Sequence, residues 1–521
     1  MNKPPPYPRD PGPHPAAGET PKGKRIGLVL GILFFLLMLV LEPIPEDPAT
    51  NRMAGVALLM ATWWITNAIP LFATALLPLV LYPLMGIESG ASTAPVYFNS
   101  TIVLFIGGFM IALTMEKWDL HRRIALWIIG KIGGGPSRIV LGFMLAAAFL
   151  SMWVSNTATA IMMMPIGLAI ILRMEEEFGR EDTKELSVAI MLGIAYACSV
   201  GGVATLVGTP PNLAFSRIYQ ITFPDAPVIS FGQWILVGLP ITVLMLGGIW
   251  LLLTQVFFRA SEHITVDPDV VASEVRKLGP VSFEQRAVMV VFATTAFLWV
   301  FRRRLEVGPI SVPGWSEVLP NPSLIDDGTI AIAMASLLFF IPTRTPGAPA
   351  RRLMGSDVIP KLPWNIVLLF GGGFALAHGF QVTGLAVFVG EAFIGLASVS
   401  PLILVALTCL GLSFLTELTS NTATAEMILP IMAAAAVALE INPLMLMIPV
   451  TISASCAFMM PVATPSNAIV FGSGRVTIAQ MARIGVFLNL FGVLVVVTVF
   501  YLVGTEVFDI DPSVLPTWSV L

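Results

Sequence analysis

The sequence predicts an all-α polytopic membrane protein: about eleven transmembrane helices plus two re-entrant helical hairpins, arranged as an inverted-topology repeat. Three observations carry that reading. Of the 521 residues, 56% are hydrophobic and only 12% are charged, and the mean hydropathy is +0.86. Soluble domains carry about 25% charged residues. Apolar runs long enough to cross a bilayer, about 20 residues, recur along the whole chain. Finally, the polar string SNTATA stands twice in apolar surroundings, at 155–160 and at 420–425.

Taken in order, residues 1–21 are rich in Pro and Gly, hold no apolar segment and are expected to be disordered. KGKR at 22–25 precedes the first apolar run. No small-residue cleavage pattern follows, so this run reads as a retained span rather than a signal peptide. Spans are expected at 26–43, 53–67, 69–85, 101–116, 186–218, 231–257, 286–303, 328–342, 363–382, 444–472 and 482–506. Two further apolar stretches, 137–172 and 400–438, each break at SNTATA. Their arms run to only about 15–17 residues, short for a span, which favours hairpins that enter and leave on one side.

Charge sets the sidedness. With the N-terminus in the cytoplasm and the C-terminus outside, the inside loops hold 23 of the 28 Lys and Arg residues, the bias expected of a correct topology. Only Arg52, Arg217 and the run Arg302 to Arg304 fall outside, and that run is the discordant feature. The net charge of −4 is spread over loops and offers no basic patch for nucleic acid. Cys198, Cys409 and Cys456 are scattered through apolar segments and read as small buried residues, not as a disulfide framework or metal cluster.

The two SNTATA strings lie 265 residues apart, and FIGGFMIA at 105–112 matches FGGGFALA at 370–377 at that same offset. An odd number of spans separates the copies, so the second must cross the membrane in the opposite direction. Inverted repeats of this kind are a mark of secondary transporters, with the site near the midplane. A second polar break follows each hairpin: ATLVGTPPN at 204–212 and PVATPSN at 461–467. Proline in mid-span unwinds a helix, and unwound backbone at membrane depth is tolerated only where it lines a cavity or site.

These breaks suit ions. A helix that begins at a hairpin tip offers free N–H groups and a positive dipole end to an anion. Carbonyls of the unwound stretches suit a hard cation such as Na⁺, and an asparagine serves both, through its carbonyl oxygen and its NH₂. No Lys or Arg faces the motifs. A dianion held there needs bound cations for compensation, which would couple the two ligands. The GGF motifs at 107–109 and 372–374 carry no reactive side chains and read as close helix packing. His378 reads as a packing residue. Glu417 and Glu426 have no acidic counterparts in the first copy, where Met152 and Ile161 stand; the open readings are that they tune the second sodium site, carry protons, as a proton-coupled carrier using Glu417 or His378 would, or make a structural hydrogen bond at the hairpin. An intramembrane enzyme would need a nucleophile and base or a metal cluster, and no His, Asp or Cys accompanies the SNT motifs.

The doubled SNT, the GTPPN break and the run AFMMPVATPSNAIVFGSG at 457–474 resemble the divalent anion/sodium symporter family over about residues 50–507. The resemblance implies Na⁺-coupled import of C4-dicarboxylates such as succinate, malate or fumarate, with citrate, sulfate or sodium-independent exchange as alternatives. It also implies one sodium at Ser151, Asn156 and the Gly208 carbonyl, and another at Thr416, Asn421 and the Ala463 carbonyl. Ser155, Asn156, Thr157, Ser420, Asn421, Thr422 and Thr464 would contact the dianionic substrate, with Thr209 and Pro465 close by. It further implies a homodimer in the lipid bilayer working as an elevator. The domains would then be a cytoplasmic segment 1–25, scaffold helices 26–136, a moving part 137–258, a linker and scaffold 259–399, a second moving part 400–507 and an external tail 508–521. Ser151 faces Thr416 across the repeat, and both supply a hydroxyl.

Overall fold

The computed structural model describes residues 21–44, 48–132, 134–258, 268–307, 310–345, 351–512 and 514–519. The expected disordered segment lies outside the described residues except at its end, where Pro21 to Arg25 form the start of the first helix. In chain order the helices are α1 (Pro21–Leu41), α2 (Pro48–Thr66), α3 (Leu71–Thr74), α4 (Leu77–Met85), α5 (Gly90–Thr93), α6 (Ser100–Lys117), α7 (Leu120–Ile132), α8 (Pro136–Ser151), α9 (Asn156–Phe178), α10 (Arg180–Val203) and α11 (Pro210–Thr222). There follow α12 (Phe231–Leu251), α13 (Pro268–Lys277), α14 (Phe283–Val300), α15 (Asp327–Phe340), α16 (Trp364–Val382), α17 (Leu385–Glu391), α18 (Pro401–Leu415), α19 (Asn421–Ala438), α20 (Leu444–Ala454), α21 (Pro465–Phe471) and α22 (Ile478–Val499). Among the described residues, nine helices are long and apolar enough to cross a membrane. Seven of the nine fall in expected spans, including α10 of the stretch 186–218, which breaks before α11; the other two, α9 and α19, are the second arms of the expected hairpins and, at 23 and 18 residues, are longer than the 15–17 read from sequence. Of the remaining expected spans, 53–67 is α2, 69–85 is α3 and α4, 328–342 is the 14-residue α15, and 444–472 is α20 and α21.

Local chemistry sets these boundaries. Pro136, Pro210, Pro401 and Pro465 each open a helix, where a missing N–H costs nothing and φ is already helical. Reciprocal capping boxes start α12 (Ser230 and Gln233), α14 (Ser282 and Gln285) and α22 (Thr477 and Gln480), satisfying amides that have no intrahelical partner.

The first SNTATA string lies in an antiparallel helix pair. A side chain at Gly201 would strike Ala148, and one at Gly193 would touch Met144 and Val140, so α8 runs parallel to α10. Gly202 lies beside Asn156 and Gly167 beside Met191, so α9 runs back the other way. In the second copy α18 and α19 both pack on α20, and α17 meets α18 at a bend of 116°. The copies are not equal in length. Ser151 and Thr416 are 265 residues apart, but Asn212 and Asn467 only 255, so the second loses ten residues between tip and break. α19 and α20 have 18 and 11 residues against 23 and 24 in α9 and α10, and longer connections at 439–443 and 455–464 make up part of that shortening.

The GGF glycines pack as expected. A side chain at Gly107 would run into Ala331 of α15, and one at Gly372 into Ala75 beside α3. The next glycine differs between copies. Gly373 abuts Glu426 of α19, whereas the nearest groups to Gly108 are Trp299 and Val207, at 3.7 and 3.9 Å. Accordingly α16 is packed along both α19 and α11, while α6 makes no comparable contact with α9 or α21.

The discordant arginines also find partners. Arg302 is buried and its Nε donates to Asp327 Oδ1 at 2.5 Å, with a further bond to the Ile325 carbonyl at 3.0 Å. Arg304 pairs with Glu317 at 3.0 Å. A two-stranded ribbon, β1 (Leu305–Val307) and β2 (Ile310–Val312), follows the run. Arg302 thus ties the end of α14 to the start of α15, a role that charge counting treats as noise. The three cysteines are free and buried.

Candidate functional site

The first tip is the turn between α8 and α9. Ser151 ends α8, fully buried, and its Oγ bonds both Asn156 Oδ1 and the Cys198 carbonyl, the latter at 2.7 Å. Ser155 caps α9 by accepting from Ala158 N at 3.2 Å, leaving the first-turn amides directed out of the helix start. The break 204–209 lies against this tip. The position a side chain at Gly202 would fill is 2.9 Å from the Gly208 carbonyl oxygen, 3.0 Å from Asn156 Oδ1 and 3.2 Å from Thr209 Cβ. Ser151, Asn156, Gly208 and Thr209 therefore meet at one cradle, kept open because residue 202 has no Cβ. The tip is held to the break by Thr205 Oγ1, which donates to the Met152 carbonyl at 2.5 Å.

The second tip repeats the donor geometry. Thr416 Oγ1 donates to Asn421 Oδ1 at 2.6 Å and bonds the Ala454 carbonyl at 3.0 Å. Ser420 caps α19 without a side-chain bond, so its hydroxyl stays available. Thr464 caps α21, accepting from Asn467 N at 3.2 Å and sharing a 3.0 Å bond with Ser466. Ala463 sits in the break just before it, its N bonded to the Met460 carbonyl at 3.2 Å. The attachment of tip to break is different here. Glu417, the equivalent of Met152, accepts from the backbone amides of Phe458, Met459 and Met460 at 2.6 to 3.1 Å and from Asn489 Nδ2 at 2.9 Å.

The halves interlock, with α11 on α19, α21 on α9, and Ser199 and Ser466 hydroxyls 3.5 Å apart. Thr157 and Thr422 follow their asparagines in the first turns of α9 and α19, and Pro465 stands exposed at the first position of α21. Arg475 binds Glu175 through both carboxylate oxygens, one at 3.0 Å, and joins the loop after α21 to α9. His378 pairs with Glu88 at 3.1 Å, half-buried and away from both tips.

Two site residues carried no assigned role from sequence alone. Asn212 Nδ2 reaches back to the carbonyls of Gly202, Val203 and Thr205 at 3.3, 3.4 and 2.8 Å. Asn467 Nδ2 does the same to Ala457 and Met460 at 3.2 and 3.1 Å. Each clamps an unwound stretch, adding a second bond to carbonyls such as Val203, which also accepts from Trp234 Nε1, and Met460, which also accepts from Ala463 N. The signal was present: both close a T-P-x-N string, TPPN and TPSN. Their Oδ1 atoms are buried without a partner.

Residues 23–508 match the family model described as the sodium:sulfate symporter transmembrane region. The chain belongs to the sodium:sulfate symporter family. That membership places it among multi-pass membrane transporters and not among enzymes. Relatives of the chain include the sodium-dependent dicarboxylate transporter SdcS of Staphylococcus saprophyticus, 41% identical over 94% of this chain and 93% of the relative. SdcS of Staphylococcus aureus is 42% identical over the same shares. Among solved structures, the Alcanivorax borkumensis YdaH transporter aligns with a TM-score of 0.54 at 15% identity, over 92% of this chain and 98% of that one. The Neisseria gonorrhoeae MtrF efflux pump also aligns at 0.54, with 13% identity over 91% and 94%. At such identity these likenesses speak to the fold alone.

Proposed function

We propose that this chain is a sodium-coupled symporter that imports C4-dicarboxylates by an elevator-type alternating-access cycle. The observation that carries the reading is the pair of tips, each a buried hydroxyl bonded to an asparagine Oδ1 beside unwound backbone. Na⁺ is cargo here, as is the dianion. Ser151, Asn156 and the Gly208 carbonyl would hold one sodium in the cradle at Gly202, and Thr416, Asn421 and the Ala463 carbonyl another. The oxygens are neutral and hard, which suits an alkali cation. Ser155, Asn156, Thr157, Ser420, Asn421, Thr422 and Thr464 would take the carboxylates, flanked by Thr209 and Pro465. Each asparagine turns Oδ1 to the cation and Nδ2 to the anion, so the two ligands share a residue and bind together. The sodium-dependent dicarboxylate transporters at 41% and 42% identity support this choice of cargo.

The helix pairs α8–α9 and α18–α19 are read as re-entrant, moving with α10 to α12 and α20 to α22 past the remaining helices of a homodimer. With the N-terminus in the cytoplasm and the C-terminus outside, the close packing of α19 and α11 on α16 shuts the external side. On this reading, the loose contact of α9 and α21 with α6 would leave the internal side open.

The test is uptake of labelled succinate into liposomes holding the purified protein, with an inward Na⁺ gradient and with K⁺ replacing Na⁺. Uptake only with Na⁺ is the expected result. Equal uptake in both, accelerated by internal succinate, would mean an exchanger. Uptake of labelled sulfate or citrate but not succinate would move the substrate within the family.

A further inference from the structure

Glu426 is fully buried in α19, and neither of its carboxylate oxygens has a hydrogen-bonding partner. It lies one helical turn beyond Thr422 and abuts Gly373 of α16, where any side chain would collide with it. The packed elements offer it no countercharge. Arg52 of α2 donates to the Met85 carbonyl, and His378 of α16 is taken by Glu88. Neither Arg217 of α11 nor Glu391 of α17 makes a hydrogen bond with it, and α20 carries no titratable side chain. Only the Tyr97 phenol, ahead of α6, is within electrostatic reach, and its hydroxyl donates to the Ala75 carbonyl at 2.6 Å. An ionised carboxylate with neither donor nor cation is not tolerated in such a place.

The repeat adds a second, independent fact. The residue equivalent to Glu426 is Ile161 in α9, and Ile161 is 57% exposed where Glu426 is 0% exposed. Equivalent positions thus occupy opposite environments: α19 is seated on α16 while α9 stands off α6. Exchange of these two arrangements, as the transport reading above requires, would unseat Glu426 from Gly373 and seat Ile161 against Gly108.

We infer that Glu426 is a proton-binding site that switches between burial and water as α19 leaves α16. The chemistry is one O–H bond, formed with a proton taken from water and broken when the proton returns. A sodium ion fits less well, since hard cations need several oxygens around them and no other polar atom partners this carboxylate. The arrangement seen here then holds the proton, and the opposite one releases it. Acid therefore favours the seated α19, and alkali drives it off.

The inference rests on alternating access but can be read without substrate. Ile161→Cys reports the state, because it is open when α19 is seated and covered otherwise, and the three native cysteines are buried. Its labelling rate with a charged maleimide would be measured from pH 6 to 9 with Glu426 present and with Glu426→Gln. Taking the ratio of the two cancels the titration of the thiol itself. The expected ratio falls with rising pH, by up to about tenfold per pH unit where one proton is fully linked, while Glu426→Gln keeps Ile161→Cys open throughout. A ratio that stays constant across the range overturns the inference. Failure of the transport reading would show separately, as absence of succinate uptake by the parent protein. Glu426→Ala, which leaves a gap instead of an amide, checks that the flat response comes from the lost carboxyl: it too must be insensitive to pH.

Discussion

The two tips hold the same ligand set by different means. In the first, a neutral bond from Thr205 to the Met152 carbonyl fixes tip to break. In the second, the Glu417 carboxylate gathers three backbone amides and the Asn489 amide. Bonds to a charged group contribute about 1.5–3 kcal/mol against about 1 for a neutral one, so the second tip is tied down far more firmly. The teaching is that the repeat keeps the pair proposed to meet the cargo, a hydroxyl five residues before an asparagine, and leaves the mounting free to diverge. Environment diverges too, since 72% of the apolar stretch of α19 is buried against 44% of that of α9.

The largest effect that sharpens this contrast is expected at Glu417. Glu417→Ala strands several buried donors and should cost about 4 kcal/mol, whereas Met152→Ala at the matching position leaves its carbonyl in place and should cost under about 1 kcal/mol. Thermal unfolding in detergent measures both, and equal losses would break the comparison. Next come Asn156→Ala and Asn421→Ala. Each should lower sodium-driven uptake by about a hundredfold, corresponding to about 2.7 kcal/mol, and abolish sodium activation. If either variant kept parental sodium activation, the shared-residue arrangement would be wrong. Gly202→Ala comes third, because its methyl enters the cradle between the Gly208 carbonyl and Asn156. It should raise the half-saturating Na⁺ by about tenfold (about 1.4 kcal/mol) and reduce the Hill slope toward that of one site. The smallest change is expected from Ser151→Thr, which gives the first tip the hydroxyl residue of the second. Sodium activation should move by less than about threefold, and a complete loss would show that the hydroxyls are not interchangeable.

Much of this was legible in the chain. A polar string in an apolar stretch is conspicuous, and SNTATA, TPPN and TPSN therefore marked the tips and breaks. The GGF packing was readable because absent side chains leave few other uses. What stayed hidden has a common cause, since periodicity reports on near neighbours. The grip of Glu417 spans 41 to 72 residues, and the pairing of Arg302 with Asp327 spans 25. Neither leaves a periodic trace. The helix α7 went unseen for another reason. It lies among the basic residues from Lys117 to Arg138, which the charge rule assigns to a loop. The uneven lengths of the copies also blurred the correspondence, since one offset of 265 does not align the breaks.

The asparagine clamps have a mechanical consequence. Asn212 and Asn467 splint stretches that lack helical bonds, so those stretches are irregular without being pliable. Hydrogen exchange at 204–208 should then be as slow as in the flanking α10, although a loop of this kind ordinarily exchanges fast. On the proposed transport reading, such a carrier would shift the whole block and bend at its edges rather than flex at its cargo.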